Sequence, residues 1–243
     1  MARLSRETKA SRAPAPKLRK PAKAAIERST VRRRKSSGET PYHHGDLHEA
    51  LLKAAVQVLE RDGLPGLTLR AVAREANVSH AAPTHHFGDL TGLLSELAAI
   101  GFRQFGAAMV AARASAPTPP ERGLASAKAY VAYAQAHPGM YGLMFRSERL
   151  DYSRPSLHEA SDASFAGLAR GVGASRQEQI SEESLSLDQA AAIASAWSLV
   201  HGFTMLLLDG RLSRILSLSP EGTTPEMLLT AMLRSTGGRP PGP

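Results

Sequence analysis

The sequence predicts an all-α fold, on three observations. Apolar residues recur at helical spacing through each long segment of the chain. Proline, glycine and small polar residues separate these segments, as they do at turns between helices. No stretch has a convincing strand pattern, and no internal repeat is visible. The length of 243 residues permits two domains. Because only 5% of these residues are aromatic, most core contacts must come from Leu, Ala, Val and Met.

The segment from Thr68 to Phe87 predicts two short helices joined by a tight turn. Thr68 suits the N-cap of the first helix, since its hydroxyl can accept from an unpaired backbone N–H. Asn77 suits the turn because it tolerates a left-handed backbone, and Ser79 is expected to cap the second helix. Such a pair can present its second helix to the DNA major groove, although helical hairpins also occur as plain packing units. The first helix has an apolar face made of Leu69, Val72, Ala73 and Ala76.

A longer amphipathic helix is predicted before this pair. Asp46 and Glu49 form a capping-box pattern that marks its start, and Gly63 followed by Pro65 marks its end. Three helices in about 40 residues make a small unit, so we expect it to pack against the long helix that follows. The apolar stripe of this first helix consists of Leu47, Leu51, Ala54, Ala55, Val58 and Leu59.

The excess positive charge lies in the first 40 residues. They hold 13 Lys and Arg against 3 Glu, a net charge of +10, whereas the remaining 203 residues have a net charge of −2. Residues 1–41 contain few large apolar side chains and are predicted to form a basic disordered tail. The tail can act as an arm along DNA phosphates or in the minor groove. It can equally be a solvated extension without a fixed partner, and an anionic membrane surface is a weaker third partner.

Charge and proline and glycine content divide the rest of the chain. Residues 42–88 form the three-helix unit, residues 89–236 a second helical domain, and residues 237–243 a second disordered tail. A long helix over 89–114 begins the second domain. Gly171–Ser186 is predicted to be a polar, mobile connection. Further helices are predicted over 121–136, 138–146, 155–170, 188–209 and 224–234.

Aromatic and thioether side chains of the second domain are candidates for a small-molecule site. Trp197 and His201 are four residues apart and therefore share one face of a helix. A cavity lined by such groups, with a few hydroxyl or imidazole groups, suits a small apolar or amphipathic ligand. The same side chains can equally fill the core without binding anything. The candidate ligand-binding residues are Phe105, Tyr130, Tyr133, Tyr141, Met144, Phe145, Trp197 and His201.

Small and apolar residues on the last two long helices predict a homodimer. Two such helices from each protomer can form a four-helix interface. The dimer would place two recognition helices about 34 Å apart, one turn of DNA, on a palindromic site. The residues concerned are Ala190, Ala191, Ala194, Ala196, Met205, Leu206, Leu207 and Leu208 on one helix, and Met227, Leu228, Met232 and Leu233 on the other.

Enzymatic and metal chemistry are poorly supported by the sequence. It has no cysteine, phosphate-binding glycine loop, nucleophile motif or evident acid–base pair, so we expect no catalytic site and no cofactor. Histidine clusters at 43–48 and 80–86 lack partners at metal-ligand spacing, and no metal site is predicted. The uncharged run 190–208 is flanked by Asp188 and Asp209, which favours a helix buried at a dimer contact over a membrane span. With no secretory signal visible, a cytoplasmic protein is expected.

The stretch from Tyr42 to Leu94 resembles the DNA-binding domain of TetR-family transcriptional regulators. WSLVHG at 197–202, with Ala136–Pro138 and Met144–Phe145, resembles the C-terminal domain called WHG in one TetR subgroup. The resemblance implies a homodimeric, all-helical regulator, a repressor or an activator, that responds to a small ligand. The matching features of the first stretch are Thr68-Leu69-Arg70, Val72-Ala73, Ala76-Asn77-Val78-Ser79, His86-Phe87, Asp89 and Leu93-Leu94.

Two residues depart from the family pattern. Thr84 stands where the family usually has Tyr, and Leu90 stands where it usually has Lys. In the family both positions tend to hold DNA phosphates. Because phosphate contacts position a protein whereas base edges specify the sequence, these departures weaken binding without changing preference. Asn77 also replaces the usual glycine of the turn.

We therefore expect a transcriptional repressor whose operator binding is relieved by an effector in the second domain. The effector would reorient the helix over 89–114, so that ligand and DNA oppose each other. The alternatives are a helical small-molecule-binding protein with weakened or lost specific DNA recognition, and a nonspecific nucleic-acid or membrane binder that depends on the tail. The groove-facing candidates in helix 80–86 are His80, Ala81, Thr84 and His85 with His86 beside them, and Thr68, Arg70 and Ser79 would contact the DNA backbone.

Overall fold

The structure, a computed structural model, describes residues 44–145, 147–181 and 183–237. In these ranges the chain forms α-helices, one 3-10 turn and no β-strand, which confirms the predicted all-α fold. The predicted tails fall outside the described residues, apart from Gly237, which ends the last helix. The helices are α1 His44–Gly66, α2 Leu69–Glu75, α3 Ala81–Phe87, α4 Leu90–Ala114, α5 Pro119–Ala136, α6 Pro138–Met144, α7 Pro155–Arg176, α8 Leu187–Leu208, α9 Ser213–Ser217 and α10 Pro225–Gly237, with the 3-10 turn at Ser147–Arg149.

The turn chemistry of the first three helices follows the sequence in most respects. Thr68 caps α2, because its Oγ1 accepts from the backbone N of Ala71 at 3.1 Å. Asn77 adopts the left-handed conformation with φ of 54°, as predicted for the turn between α2 and α3. Gly63 interrupts α1 with φ of 68°, which confirms the predicted end of its regular part.

The starts of α1 and α3 differ from the predictions. α1 begins at His44, one residue before the predicted start at Gly45-Asp46. α3 begins at Ala81, with His80 at the N-cap position and no side-chain cap there. Ser79 contributes its backbone carbonyl, which accepts from the N–H of Ala82 at 3.0 Å. The backbone therefore closes the first turn of α3, and the predicted cap by the Ser79 hydroxyl is not formed.

The long helix α4 connects the first three helices to the rest of the fold. Its N-cap is Asp89, whose Oδ1 accepts from the N–H of Gly92 at 2.8 Å. It packs against α1 and α3 at one end and against α5, α6 and α7 along its length. Leu93, Leu97 and Phe105 are buried, and one hydrophobic core runs without a break from α1 to α10. The small N-terminal unit is therefore stabilised by α4, as expected.

Helix α6 gives the first three helices a second support that the sequence does not indicate. Gly139 lies so close to α1 that a Cβ atom at this position would be 2.9 Å from the carbonyl oxygen of Leu59. Only a glycine allows this approach without a shift of the backbone. Next to it, Nδ1 of His137 lies 3.9 Å from the carboxylate of Glu60. The end of α1 is thus held by the C-terminal helices as well as by α4.

The predicted mobile connection over Gly171–Ser186 is wrong in its first third. α7 continues through Gly171 to Arg176, and Gln177 ends it in the left-handed conformation with φ of 59°. Arg176 then pairs with Glu178 and with Asp188. The short helix α9 was not predicted. The predicted ends of α4 and α5 and the predicted starts of α6 and α7 are confirmed, and the remaining bounds of the later helices, other than the end of α7, differ by one to three residues.

Two helices in the described part are long and apolar enough to cross a membrane by length and composition, namely α4 and α8. In α4, 50% of the most apolar window is buried inside the fold, but in α8 only 22% is buried. Core helices of proteins outside membranes pass the same test. The apolar surface of α8 is therefore a feature that needs a separate explanation.

Candidate functional site

The two sides of α3 differ sharply in exposure. Pro83 and Phe87, four residues apart, are buried against the core, and Phe87 is only 2% exposed to solvent. His86 is half-buried, with its ring 5.8 Å from that of His48 and 5.4 Å from that of His85. The opposite face is exposed and consists of His80, Ala81, Thr84 and His85. One face of α3 is thus fixed by packing, while the other is open to a partner.

The predicted backbone-contacting residues also lie on the surface. Thr68, Arg70 and Ser79 are all exposed, and they flank α2 and the turn that leads into α3. Arg70 forms no ion pair with any residue that the structure describes. By contrast, Arg61 on α1 is held by Glu75 at 2.8 Å and by Asp62 at 3.0 Å. The Arg70 guanidinium is therefore available to an anion.

The two family departures occupy different environments. Thr84 is exposed on α3, where a short hydroxyl replaces the longer tyrosine side chain of the family pattern. Leu90 is half-buried and packs against the core at the start of α4. Neither side chain can supply a charge to a phosphate.

The second candidate site is an open cleft of about 420 Å³ beside α8. Four of the eight predicted ligand-binding residues line it, and two residues that the sequence did not indicate join them. Ser198 lies three residues before His201 and therefore shares its helix face, a signal that the spacing could have provided. Tyr152 comes from the loop before α7, where no periodicity marks it. The lining residues are Met144, Phe145, Tyr152, Trp197, Ser198 and His201.

Three polar groups meet at the base of this cleft. The hydroxyl of Tyr130 lies 3.1 Å from the hydroxyl of Tyr141. Nδ1 of His201 lies 2.8 Å from the Tyr130 oxygen and 2.9 Å from the Tyr141 oxygen. With a neutral imidazole, the available protons and lone pairs allow at most two of these three contacts to be hydrogen bonds at once. If Nδ1 accepts one of them, Nε2 carries the ring proton and is free to donate to a ligand.

Burial keeps these groups neutral. It raises the pKa of the Tyr130 and Tyr141 hydroxyls above their ordinary 10.0, because it disfavours the phenolate. It lowers the pKa of His201 below its ordinary 6.5, because it disfavours the imidazolium. Among the described lining residues the cleft therefore presents hydrogen-bonding groups but no formal charge.

Phe105 and Tyr133 lie behind the cleft and do not line it. The Phe105 ring is 4.8 Å from that of Tyr130 and 5.4 Å from that of Tyr133. The Tyr133 hydroxyl donates to the carbonyl oxygen of Gly101 at 3.3 Å, and burial raises the pKa of Tyr133 to about 12. Seven of the eight predicted residues thus form one cluster of ring contacts, and Met144 lies beside it. Tyr130 and Tyr141 lie at the base of the cleft, and Phe105 and Tyr133 lie behind them.

In the part of the chain that the structure describes, no three His, Asp or Glu side chains come close enough to hold a metal ion.

Comparisons with known proteins match both halves of the chain. Residues 51–97 match the family described as "Bacterial regulatory proteins, tetR family". Residues 124–234 match "Tetracyclin repressor-like, C-terminal domain", which is consistent with the predicted WHG-type domain. Over 70 residues the chain is 39% identical to the HTH-type transcriptional regulator BetI of Burkholderia mallei (strain NCTC 10229). That match covers 29% of this chain and only 36% of the relative.

Solved structures extend the likeness to most of the chain. A protein with unknown function from Rhodococcus sp. RHA1 is 34% identical, covering 82% of this chain and 97% of its own, with a TM-score of 0.66. A bacterial regulatory protein in the tetR family from Rhodococcus RHA1 is 17% identical, covering 79% and 95% of the two chains, with a TM-score of 0.54. At that identity it supports the fold alone. Taken together, the exposed α3, the cleft and these matches show that the chain belongs to the TetR family of transcriptional regulators, which pair a DNA-binding domain with a ligand-binding C-terminal domain.

Proposed function

We propose that this chain is a homodimeric repressor that binds a palindromic operator through α3 and releases it when a small neutral effector enters the cleft beside α8. The observation that carries the proposal is the exposure pattern of α3. The four side chains predicted to face the groove are exposed, whereas Pro83 and Phe87 anchor the helix from behind. A helix held in this way can enter the major groove as a rigid body.

The proposed contacts with DNA fall into two kinds. His80, Ala81, Thr84 and His85 face the base edges, with His86 beside them at the half-buried margin of the helix. Thr68, Arg70 and Ser79 contact the phosphates and set the register, since exposed hydroxyls and an unpaired guanidinium suit phosphate oxygens. Pro83 lies in the first turn of α3, where its missing N–H costs no intrahelical hydrogen bond and its fixed φ suits the helix.

The surface of α8 supports the homodimer. Several of its apolar side chains are exposed in the single chain: 44% of Trp197, 43% of Leu206, 40% of Met205 and 36% of Leu208. Ala191 and Ala194 on the same helix are also exposed and allow close approach by a second helix. Met227, 57% exposed on α10, adds apolar area nearby. Because members of this family form dimers, these exposed apolar side chains are best explained by pairing of α8 and α10 with the same helices of a second copy.

The chemistry of the cleft supports a neutral effector. Its described lining has no Lys, Arg, Asp or Glu, so it offers no partner for a charged group. Phe145, Trp197 and Tyr152 suit an apolar, preferably aromatic, surface of the ligand. His201 Nε2 and the Ser198 hydroxyl are the polar groups that could orient it. We therefore propose an apolar or amphipathic molecule without formal charge.

Packing suggests how the effector would act. The cleft residues Met144 and Phe145 lie at the end of α6, and α6 packs on α4 and on α1. A ligand between α6 and α8 would change how α6 presses on α4, whose first turn follows α3 after two residues. Effector and DNA would then favour different orientations of α4 and oppose each other.

The DNA proposal is tested by selecting duplexes from a randomised pool with the full-length protein. We expect enrichment of a palindromic sequence that is bound more tightly than its scrambled version at every salt concentration. His85→Ala should relax the preference, while His158→Ala, an exposed histidine on α7, should not. Equal binding to all sequences would support the nonspecific alternative, and no binding would support the helical sensor that has lost DNA recognition, as Thr84 and Leu90 would allow.

The dimer proposal is tested by sedimentation of the full chain. We expect a dimer that Met205→Glu converts to monomer, because a carboxylate would be buried in the α8 contact. Val110→Glu is the matched control, since Val110 is 67% exposed on α4 and lies outside the proposed interface. A monomeric wild-type protein would contradict the proposal.

A further inference from the structure

The segment between the 3-10 turn and α7 contacts both candidate sites. Tyr152 of this segment lines the cleft. Two residues later, Nη2 of Arg154 donates to the backbone carbonyl oxygen of Phe87 at 3.0 Å. Phe87 is the last residue of the recognition helix α3. A single short segment therefore joins the wall of the cleft to the helix proposed to contact DNA.

The Phe87 carbonyl is a favourable place for a guanidinium. The last carbonyls of a helix have no intrahelical partner and carry the negative end of the helix dipole. The next residue, Gly88, turns the chain with φ of 82°, and its N–H donates to the Thr84 carbonyl at 2.9 Å. Arg154 supplies the donor for the Phe87 carbonyl. It thus fixes the C-terminal end of α3 from outside the DNA-binding domain.

Gly92 in the first turn of α4 provides the space for this contact. A Cβ atom there would lie 2.0 Å from the Phe87 carbonyl oxygen and 2.5 Å from Nη2 of Arg154. Any other residue at this position would collide with both partners. The packing at the α3–α4 junction is therefore compatible with the arginine only because a glycine faces it.

The same segment is firmly attached to α4. The N–H of Asp151 donates to Oγ of Ser95 at 2.9 Å, and the Ser95 side chain is fully buried. The hydroxyl of Ser156 donates to Glu96 at 2.8 Å, and Nη1 of Arg154 lies 3.7 Å from the same carboxylate. Within the segment, the Asp151 carboxylate accepts from the N–H of Ser153 at 3.0 Å. The segment is thus a short, internally bonded connection, and a shift of Tyr152 would reach Arg154.

We infer that Arg154 is a positioning residue that couples the effector cleft to α3. Occupancy of the cleft displaces Tyr152, and this displacement weakens the contact of Arg154 with the Phe87 carbonyl and loosens α3. The inference rests on the proposed function and adds a second route beside the one through α6 and α4. Because coupling between two sites is reciprocal, DNA bound to α3 must in turn change the cleft.

The reciprocal effect can be measured without knowing the effector. Trp197 lines the cleft and is the only tryptophan of the chain, so all tryptophan fluorescence comes from a residue of the cleft. The probe is the duplex enriched from the randomised pool, added to saturation to the full-length protein. Arg154→Ala removes the contact. Arg149→Ala is the matched control, an exposed arginine of the same connection without an ion pair to a described residue.

We expect the duplex to change Trp197 emission fully in the wild type and in Arg149→Ala. In Arg154→Ala the change should be smaller, because only the route through α6 and α4 remains. Arg154→Ala should also bind the duplex roughly fivefold or more weakly. The helix start of α7 should survive, because Arg154 caps it through its carbonyl, which accepts from Leu157 and His158, and not through its side chain. If the alanine variant nevertheless fails to fold, Arg154→Met retains part of the stem packing without an N–H donor and should show the same loss.

Two results would overturn the inference while leaving the proposed function intact. In one, Arg154→Ala at saturation shows the full emission change of the wild type. In the other, the wild type binds the duplex but its Trp197 emission does not respond. Failure of the wild type to enrich any duplex would instead contradict the proposed function, and the coupling with it.

Discussion

The candidate DNA surface and the effector cleft are built in opposite ways. The DNA surface comes from one stretch of about twenty residues, and its side chains are exposed on two adjacent short helices. The cleft comes from α6, α8 and a loop, and the polar contact beneath it joins Tyr130 and His201, 71 residues apart. The DNA surface therefore depends on local turn chemistry, whereas the cleft forms only after the C-terminal helices have packed.

The two sites also differ in how much their side chains contribute to folding stability. Exposed side chains on α3 contribute little to folding, since surface substitutions usually change stability by less than about 0.5 kcal/mol. The side chains behind the cleft belong to the core, so the same groups that shape the ligand site also stabilise the fold. Substitutions should therefore separate binding from stability on the exposed face of α3 but not among the buried side chains behind the cleft.

The largest expected effect is on stability at the cleft. Tyr141 is only 1% exposed to solvent. Truncation of a buried aromatic side chain to Ala typically lowers the free energy of unfolding by about 3–5 kcal/mol. We expect Tyr141→Ala to lower the free energy of unfolding by that amount in urea titrations. Thr84→Ala on the exposed face of α3 should leave it unchanged. Comparable losses for both variants would remove the contrast between the two sites.

A smaller effect is expected at the cap of α2. Thr68→Ala removes the hydroxyl that accepts from Ala71, and loss of an N-cap typically costs about 1 kcal/mol. Thr68→Ser keeps the acceptor and is the matched control. Urea unfolding of both variants measures the difference. If the serine variant lost as much as the alanine variant, the methyl group and not the cap would be responsible.

A substitution of Arg70 tests whether this residue contacts phosphates or base edges. We expect Arg70→Ala to weaken binding on the selected and scrambled duplexes alike. The slope of log affinity against log salt should fall by about 1, because one phosphate contact is lost. Fluorescence anisotropy across a salt series measures both quantities. Lost discrimination with unchanged affinity would show that Arg70 contacts bases instead.

The smallest expected effect is a pH dependence that arises at the cleft. Because the pKa of His201 is lowered in the folded protein, the unfolded chain takes up the proton first, and stability falls as pH decreases below about 6.5. Because the pKa of Tyr130 and Tyr141 is raised, the unfolded chain loses protons first, and stability also falls as pH rises above 10.0. The melting temperature should therefore decrease below about pH 6.5 and again above pH 10.0.

Matched variants assign each limb of that pH profile. Tyr141→Phe should flatten the alkaline limb, and His201→Gln should flatten the acid limb. His158→Gln, on an exposed histidine, controls for general histidine titration. An acid limb that was identical in wild type and His201→Gln would mean that another histidine causes it.

The sequence predicts the DNA-binding helices well because their structure is set by neighbouring residues. The cap at Thr68, the left-handed Asn77 and the burial of Val72 and Ala73 follow from local chemistry and helical spacing. The cap at Ser79 was the exception, since the backbone of the turn itself closes the first turn of α3. The cleft was predicted only in part, because Tyr152 lies in a loop whose position is determined by tertiary contacts.

The segment near Gly171 shows why glycines were misinterpreted. Gly171 and Gly173 suggested a flexible break, but both lie inside α7 at close contacts. A Cβ atom on Gly173 would be 2.7 Å from the carbonyl oxygen of Glu178, and one on Gly171 would be 3.1 Å from the Arg113 guanidinium. Arg113 in turn donates to the Gly167 carbonyl at 3.2 Å. These two glycines allow neighbouring groups to approach the helix closely. In the sequence, a glycine required for close packing cannot be distinguished from one in a flexible loop.

The most direct test of the central claim is a crystal structure of the full chain bound to the duplex that it selects. We expect two α3 helices in successive major grooves, about 34 Å apart, with His85 or its exposed neighbours within hydrogen-bonding distance of base edges. A complex in which α3 faces solvent, while other parts of the chain hold the duplex, would contradict it.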